Sequence, residues 1–128
     1  MKVTISAHGD DMDSLVDPRF GRARWFIIAD TESERWSAFD NSANANASGG
    51  AGVQAGTTVA AQGVGAVVTG NVGPNAHRVL AAAGIDVYQV ANSLTAHEAL
   101  AALRRGELTA VRAPTVGGVV DPRGMEQR

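Results

Sequence analysis

The chain has 128 residues, 45% of them apolar, which suits one domain with one buried core and is too apolar for a disordered chain. A net charge of −2, from 11 Lys and Arg against 13 Asp and Glu, gives no global attraction to nucleic acid or an anionic membrane, so neither is expected as a partner. The absence of cysteine excludes disulfides and thiolate-held zinc or iron–sulfur sites; with no apolar leader and no membrane-length run, the expected location is the cytoplasm.

In chain order, K-V-T-I-S alternates and predicts a first strand, and W-F-I-I-A (25–29) reads as a strand buried on both faces. D-T-E-S-E-R is a turn, and W-S-A-F-D (36–40) is the returning strand of a hairpin. The stretch N-S-A-N-A-N-A-S-G-G-A-G is expected to be a loop. A helix is predicted over 53–62, with Val53, Gly56, Val59 and Ala60 on one face and Gly63 as its stop. A-V-V-T (66–69) is the fourth strand. Pro74 opens a second helix with a stripe of Ala76, Val79, Leu80 and Ala83 ending at Gly84. D-V-Y-Q-V (86–90) is the fifth strand. Thr95 and Glu98 form a capping box for a third helix, with Leu94 as staple and Leu100 and Leu103 facing the core before Gly106. One domain is expected over 1–112, with a flexible tail over 113–128.

The order β-β-β-α-β-α-β-α implies strands one, four and five parallel and strand two antiparallel to strand one, in a five-stranded mixed sheet. Helices on both faces make a three-layer α/β/α domain that resembles the ribonuclease H-like arrangement.

Three familiar chemistries find weak support. Gly50, Gly52 and Ala55 fit a loose G-x-G-x-x-A, but no strand leads into them and no acid follows at the ribose position. Asp10, Asp11 and Asp13 could serve a divalent-metal hydrolase, yet they lie beyond the first strand in an acidic turn. No G-x-S-x-G elbow frames any serine. What remains is a rim at the carboxyl ends of the parallel strands. His8, His77 and His97 each follow one of those strands, and neutral imidazoles are good ligands for iron and other borderline metals. Glycine-rich helix entrances with Gly49, Gly50, Gly52, Gly70, Asn71 and Gly73 leave backbone amides open to an anion, and Arg19, Arg22 and Arg24 add charge.

D-P-R-F-G-R-A (17–23), S-G-G-A-G (48–52) and G-N-V-G-P-N-A (70–76) occur in this order in a family this chain resembles. It is the dinitrogenase iron–molybdenum cofactor biosynthesis family, the domain type of NifX, NafY and the NifB C-terminus. The resemblance covers roughly residues 1–112. It implies a ribonuclease H-like fold without nuclease activity and a non-enzymatic role in binding or carrying an iron–sulfur or iron–molybdenum cluster, with cofactor-assembly or nitrogenase proteins as partners. The resemblance points to Arg19, Arg22 and the glycines named above as cluster-binding residues, while His8, His77 and His97 are candidate metal ligands from strand topology rather than from the resemblance. Where the family often has an aromatic, this chain has His77, either an added ligand or a replaced core ring. A regulatory domain binding a phosphorylated metabolite or nucleotide on the same rim is the alternative, and the divalent-metal hydrolase a third reading.

Overall fold

The computed structural model describes residues 1–115. Its strands are β1 (Lys2–Ala7), β2 (Trp25–Asp30), β3 (Trp36–Asp40), β4 (Ala66–Thr69), β5 (Asp86–Gln89) and β6 (Ala110–Val111), and its helices are α1 (Ser42–Ala45), α2 (Ala51–Ala61), α3 (Pro74–Ala82) and α4 (Ala96–Arg104). They build one mixed sheet in the order β3-β2-β1-β4-β5-β6. Strands β1, β4 and β5 are parallel and β2 is antiparallel to β1, as the alternation of elements requires.

The sheet has six strands rather than five. The last, Ala110–Val111, pairs antiparallel with β5. Two residues carry too little alternation to stand out in a sequence, and the pairing exists because α4 delivers the chain to the free edge of β5. A second difference is α1, a single turn inside the segment expected to be loop. Asn44 Nδ2 donates to Asn41 Oδ1 at 2.8 Å, and the buried Asn41 donates to the Ala23 carbonyl at 2.8 Å. Polar side chains thus do locally what an apolar stripe does elsewhere.

Strand parity divides the core in two. Val3, Ile5, Ala7, Ile27, Ala29, Ala66 and Val68 pack with Ala96, Ala99 and Leu100 of α4 on one face. Phe26, Val67 and Val87 pack with Ala55 and Val59 of α2 and Ala76 and Leu80 of α3 on the other. Helices therefore cover both faces. The buried side of α2 is Ala51, Ala55, Gly56 and Val59, whereas Val53 is exposed. The reason is close helix packing: a Cβ on Gly56 would lie 3.0 Å from Val79 Cγ1 of α3, so on α2 a glycine rather than Val53 makes this contact. In α3, Ala76 and Leu80 are buried and Ala83, which caps the helix, is exposed.

The predicted boundaries are well placed. Gly63, Gly84 and Gly106 follow the three longer helices with φ near +70°. Pro74 occupies the first turn of α3. The capping box is complete, with Glu98 N–H donating to Thr95 Oγ1 at 3.1 Å and Thr95 N–H to Glu98 Oε1 at 2.9 Å. The Thr95 backbone amide, aided by its side chain, holds the Glu98 carboxyl below its ordinary 4.5. A depressed folded value means this stabilisation is present above pH 4.5 and is lost as pH falls through the folded value. Thr95→Ala is expected to cost about 1 kcal/mol of stability at neutral pH. Glu98→Gln should flatten the acid limb of a plot of melting temperature against pH, and an unchanged limb would count against the box.

Thr115 lies inside the segment expected to be tail, yet its amide donates to the Val72 carbonyl at 2.8 Å and its hydroxyl accepts the Val72 amide at 3.0 Å. The remainder of that expected tail, 116–128, lies outside the described residues.

Candidate functional site

The site grows from the connection between β1 and β2. Phe20, 1% exposed, stacks on Phe26 with ring centroids 5.2 Å apart and anchors D-P-R-F-G-R-A to the core. Its amide donates to the Asn71 carbonyl at 3.2 Å, and Arg19 forms a parallel bridge with Asn71, so residues 17–22 run beside the β4–α3 loop. Gly70 is the point of closest approach: a Cβ there would sit 2.5 Å from Pro18 Cα. At the far end Gly21 meets α2, where an added Cβ would sit 2.9 Å from Gly52 Cα.

These contacts leave a shallow cleft of about 270 Å³ between the N-termini of α2 and α3. Gly21, Arg22, Gly50, Ala51, Gly52, Gly73, Pro74, Asn75 and Ala76 line it, and none of them is acidic. No side chain caps either helix. The first amides engaged by the helices are those of Gln54, to the Gly50 carbonyl, and His77, to the Gly73 carbonyl. Amides ahead of them have no partner within their helices, and the positive ends of two helix dipoles lie at the cleft. Pro74 has no N–H, so α3 offers fewer donors than α2.

The residues expected at the site divide into groups. Gly50, Gly52, Gly73 and Arg22 come together in the cleft. Arg22 is anchored: its Nη1 donates to the Ala45 and Ala47 carbonyls at 2.9 and 2.8 Å, tying α1 to this loop. Gly49 is exposed and is not among the lining residues. Gly70 serves the close approach to Pro18. Asn71 accepts from Gln89 Nε2 at 3.2 Å and stitches β5 to the same loop. Arg19 is exposed beside Asp17, and Arg24 lies 3.5 Å from Asp40 with its guanidinium 5.5 Å from the Trp25 ring centroid.

The three histidines do not gather. His8 follows β1, His77 sits half-buried on α3, and His97 is exposed on α4 across the sheet from α3. Among the described residues no three His, Cys, Asp or Glu side chains form a group able to hold a metal ion. Asp10, Asp11 and Asp13 are exposed, and Asp11 Oδ1 accepts the Asp13 amide and lies 3.2 Å from Ser14 Oγ, the geometry of a turn.

The sequence assigns Asp17 no role beyond its place in D-P-R-F-G-R-A. Its side chain is 2% exposed. Oδ1 accepts the Arg19 amide at 2.9 Å, and Oδ2 lies 3.4 Å from His8 Nδ1. Ser6 Oγ lies 2.7 Å from both the Asp17 carbonyl oxygen and Thr69 Oγ1, locking this corner to the ends of β1 and β4. The signal was Asp before Pro: a carboxylate there can accept the amide two residues on.

Fold and edge together define a small mixed-sheet α/β domain with a cleft lined mainly by glycine and alanine between two helix N-termini. The chain belongs to the dinitrogenase iron-molybdenum cofactor family, which matches residues 1–106. The apo form of the orange protein from Desulfovibrio gigas is 37% identical with a TM-score of 0.87, over 90% of this chain and 96% of that one. A Thermotoga protein described as a candidate NifB protein is also 37% identical, with a TM-score of 0.78 over 91% of this chain and 98% of its own. An uncharacterised protein of Methanocaldococcus jannaschii is 32% identical over 99 residues, 75% of this chain and 82% of that one. Among the described residues no helix is long and apolar enough to cross a membrane.

Proposed function

We propose that this chain is a non-enzymatic carrier that binds an anionic iron–sulfur or iron–molybdenum-type cluster in the cleft between α2 and α3 and hands it on during cofactor assembly. One observation carries the reading: two uncapped helix N-termini and Arg22 converge on a cleft with no acidic lining. Such a surface favours negative charge, and its amides can donate to cluster sulfides. A shallow opening suits a bulky guest that must later leave. Membership of a family described by the iron–molybdenum cofactor, and likeness to a candidate NifB protein, support the same assignment. The order β3-β2-β1-β4-β5 with β2 antiparallel supports a ribonuclease H-like fold. A cytoplasmic site of action belongs to the proposal.

The test is anaerobic incubation with ferrous iron and sulfide, followed by desalting, absorption and Mössbauer spectra. Retained iron with sulfide-to-iron charge-transfer bands is the expected result. No retained cluster, together with a thermal shift from inorganic phosphate or a nucleotide, would transfer the cleft to the metabolite-binding alternative.

A further inference from the structure

Of the chain's aromatic residues only Trp36 and Phe39 are exposed, at 45% and 37%, and both stand on β3. That strand forms one edge of the sheet, with β2 on its inner side. The ladder with β2 is antiparallel. Bonds from the Asp30 amide to the Arg35 carbonyl and from the Asn41 amide to the Arg24 carbonyl, both 2.8 Å, bound its two ends. Hydrogen-bonded pairs alternate along such a ladder, so Arg35, Ser37, Phe39 and Asn41 direct their backbone groups to β2. Trp36, Ala38 and Asp40 turn theirs outward, where no strand of the described residues lies.

The two edges of the sheet are built differently. At the far edge β6 is two residues long and runs into Arg112 and Pro114. A short strand, a charge and a proline are devices that keep a free edge from pairing with another chain. W-S-A-F-D holds no proline and no lysine, and its one charge stands at its end. That carboxylate is turned along the chain, accepting the Ser42 amide at 2.8 Å and lying 3.5 Å from Arg24. Exposed aromatic side chains flank a central alanine, and the edge between them is open.

We propose that β3 pairs antiparallel with β3 of a second copy of this chain, about a two-fold axis at Ala38. Outward groups must meet outward groups, and the axis at Ala38 is the one that engages all three outward residues of both copies. Ala38 then faces Ala38 of the second copy, and Trp36 faces Asp40. Small side chains meet on the axis, an indole N–H meets a carboxylate, and no like charges stand opposite each other. On the other face the two Phe39 rings lie diagonally across the axis, within reach of one another. Self-complementarity of this kind is what a two-fold dimer requires. The pairing continues the sheet from one copy into the next and uses no residue that lines the cleft, so it holds whatever the cleft carries.

Sedimentation equilibrium of the full chain across a concentration series tests the pairing. The unmodified protein should associate to a dimer. Ala38→Pro removes the central outward amide, a change an edge strand accepts, and should give a monomer with unchanged circular dichroism. A charge exchange makes the same test without proline. Ala38→Lys alone and Ala38→Glu alone each set like charges on the axis and should dimerise roughly fivefold more weakly, while their equimolar mixture regains the lost affinity. Recovery on mixing requires that position 38 meet itself, so a dimer indifferent to these exchanges overturns the proposal. Amide exchange gives a second readout: protection of Trp36, Ala38 and Asp40 should rise with protein concentration. A monomer at every concentration overturns the pairing. Protection of those three amides that does not change with concentration overturns it too, since another segment of the same chain would then cover the edge.

Discussion

Replacing Phe20 by alanine is expected to destabilise the protein by about 3–5 kcal/mol, the largest effect of any substitution in the site's own loop. The ring is 1% exposed, stacks on Phe26, and packs within a cluster that includes Ala55 and Val59 of α2, Val67 of β4 and Val72 before α3. Truncation removes apolar contact and leaves a cavity that α2 and α3 cannot close, because Gly56 already brings them together against Val79. A second consequence separates this position from an ordinary core site. Phe20 pins residues 17–22 beside Asn71, so its loss should also loosen Arg22 and Gly21 at the cleft wall. Denaturant unfolding reads the first effect and amide exchange of residues 17–23 the second. A change below about 1 kcal/mol, in the range of a surface substitution, would mean the anchor is elsewhere.

Gly70→Ala should cost about 1–3 kcal/mol through overpacking, and its effect should be mostly backbone displacement. The added Cβ would sit 2.5 Å from Pro18 Cα and 3.0 Å from the Pro18 carbonyl oxygen, atoms that cannot rotate aside. The 17–22 segment must then move off the β4–α3 loop, carrying Asp17 and Gly21 with it. Gly73→Ala is the matched comparison. Gly73 has extended backbone at φ −75° and ψ 173°, and a Cβ there meets nothing within 4 Å. It should leave stability nearly unchanged, since the added methyl meets no neighbouring atom. Equal destabilisation by the two alanines would show that flexibility, not close approach, explains glycine at position 70.

Much of this architecture was readable because it rests on local chemistry. Alternation in K-V-T-I-S and D-V-Y-Q-V, the Thr95–Glu98 box, Pro74 and the three terminating glycines are each complete within a few residues. The features that escaped depend on distant partners. Strand β6 exists only against β5, and α1 only because Asn41 and Arg22 reach across to Ala23, Ala45 and Ala47. Val53 looked like a core residue because apolar periodicity cannot register that Gly56 makes the closer contact.

The same division holds at the site. Glycine-rich helix entrances were visible as runs, and Gly50, Gly52 and Gly73 do meet with Arg22. Gly70 was grouped with them as an amide donor, but its neighbour Pro18 lies fifty-two positions earlier and no spacing rule links them. The histidines illustrate the opposite error. Strand topology correctly places each one after a parallel strand, but α3 and α4 cover opposite faces and keep His77 and His97 apart. Burial of Asp17 needs the tertiary contact with Ser6, itself bonded to Thr69, which no local pattern encodes.

The most direct test of anion capture by the cleft is cluster retention by Asn75→Asp. Asn75 lines the cleft in the first turn of α3, and the exchange keeps its shape while adding a carboxylate where helices tolerate one well. Iron retained per chain after anaerobic loading with ferrous iron and sulfide should fall on the order of tenfold, with melting temperature unchanged or raised, because the added carboxylate would stand at the same helix N-terminus as the anionic cluster and repel it. Equal retention by Asn75→Asp and the unmodified protein would contradict the cleft as the seat of the cluster.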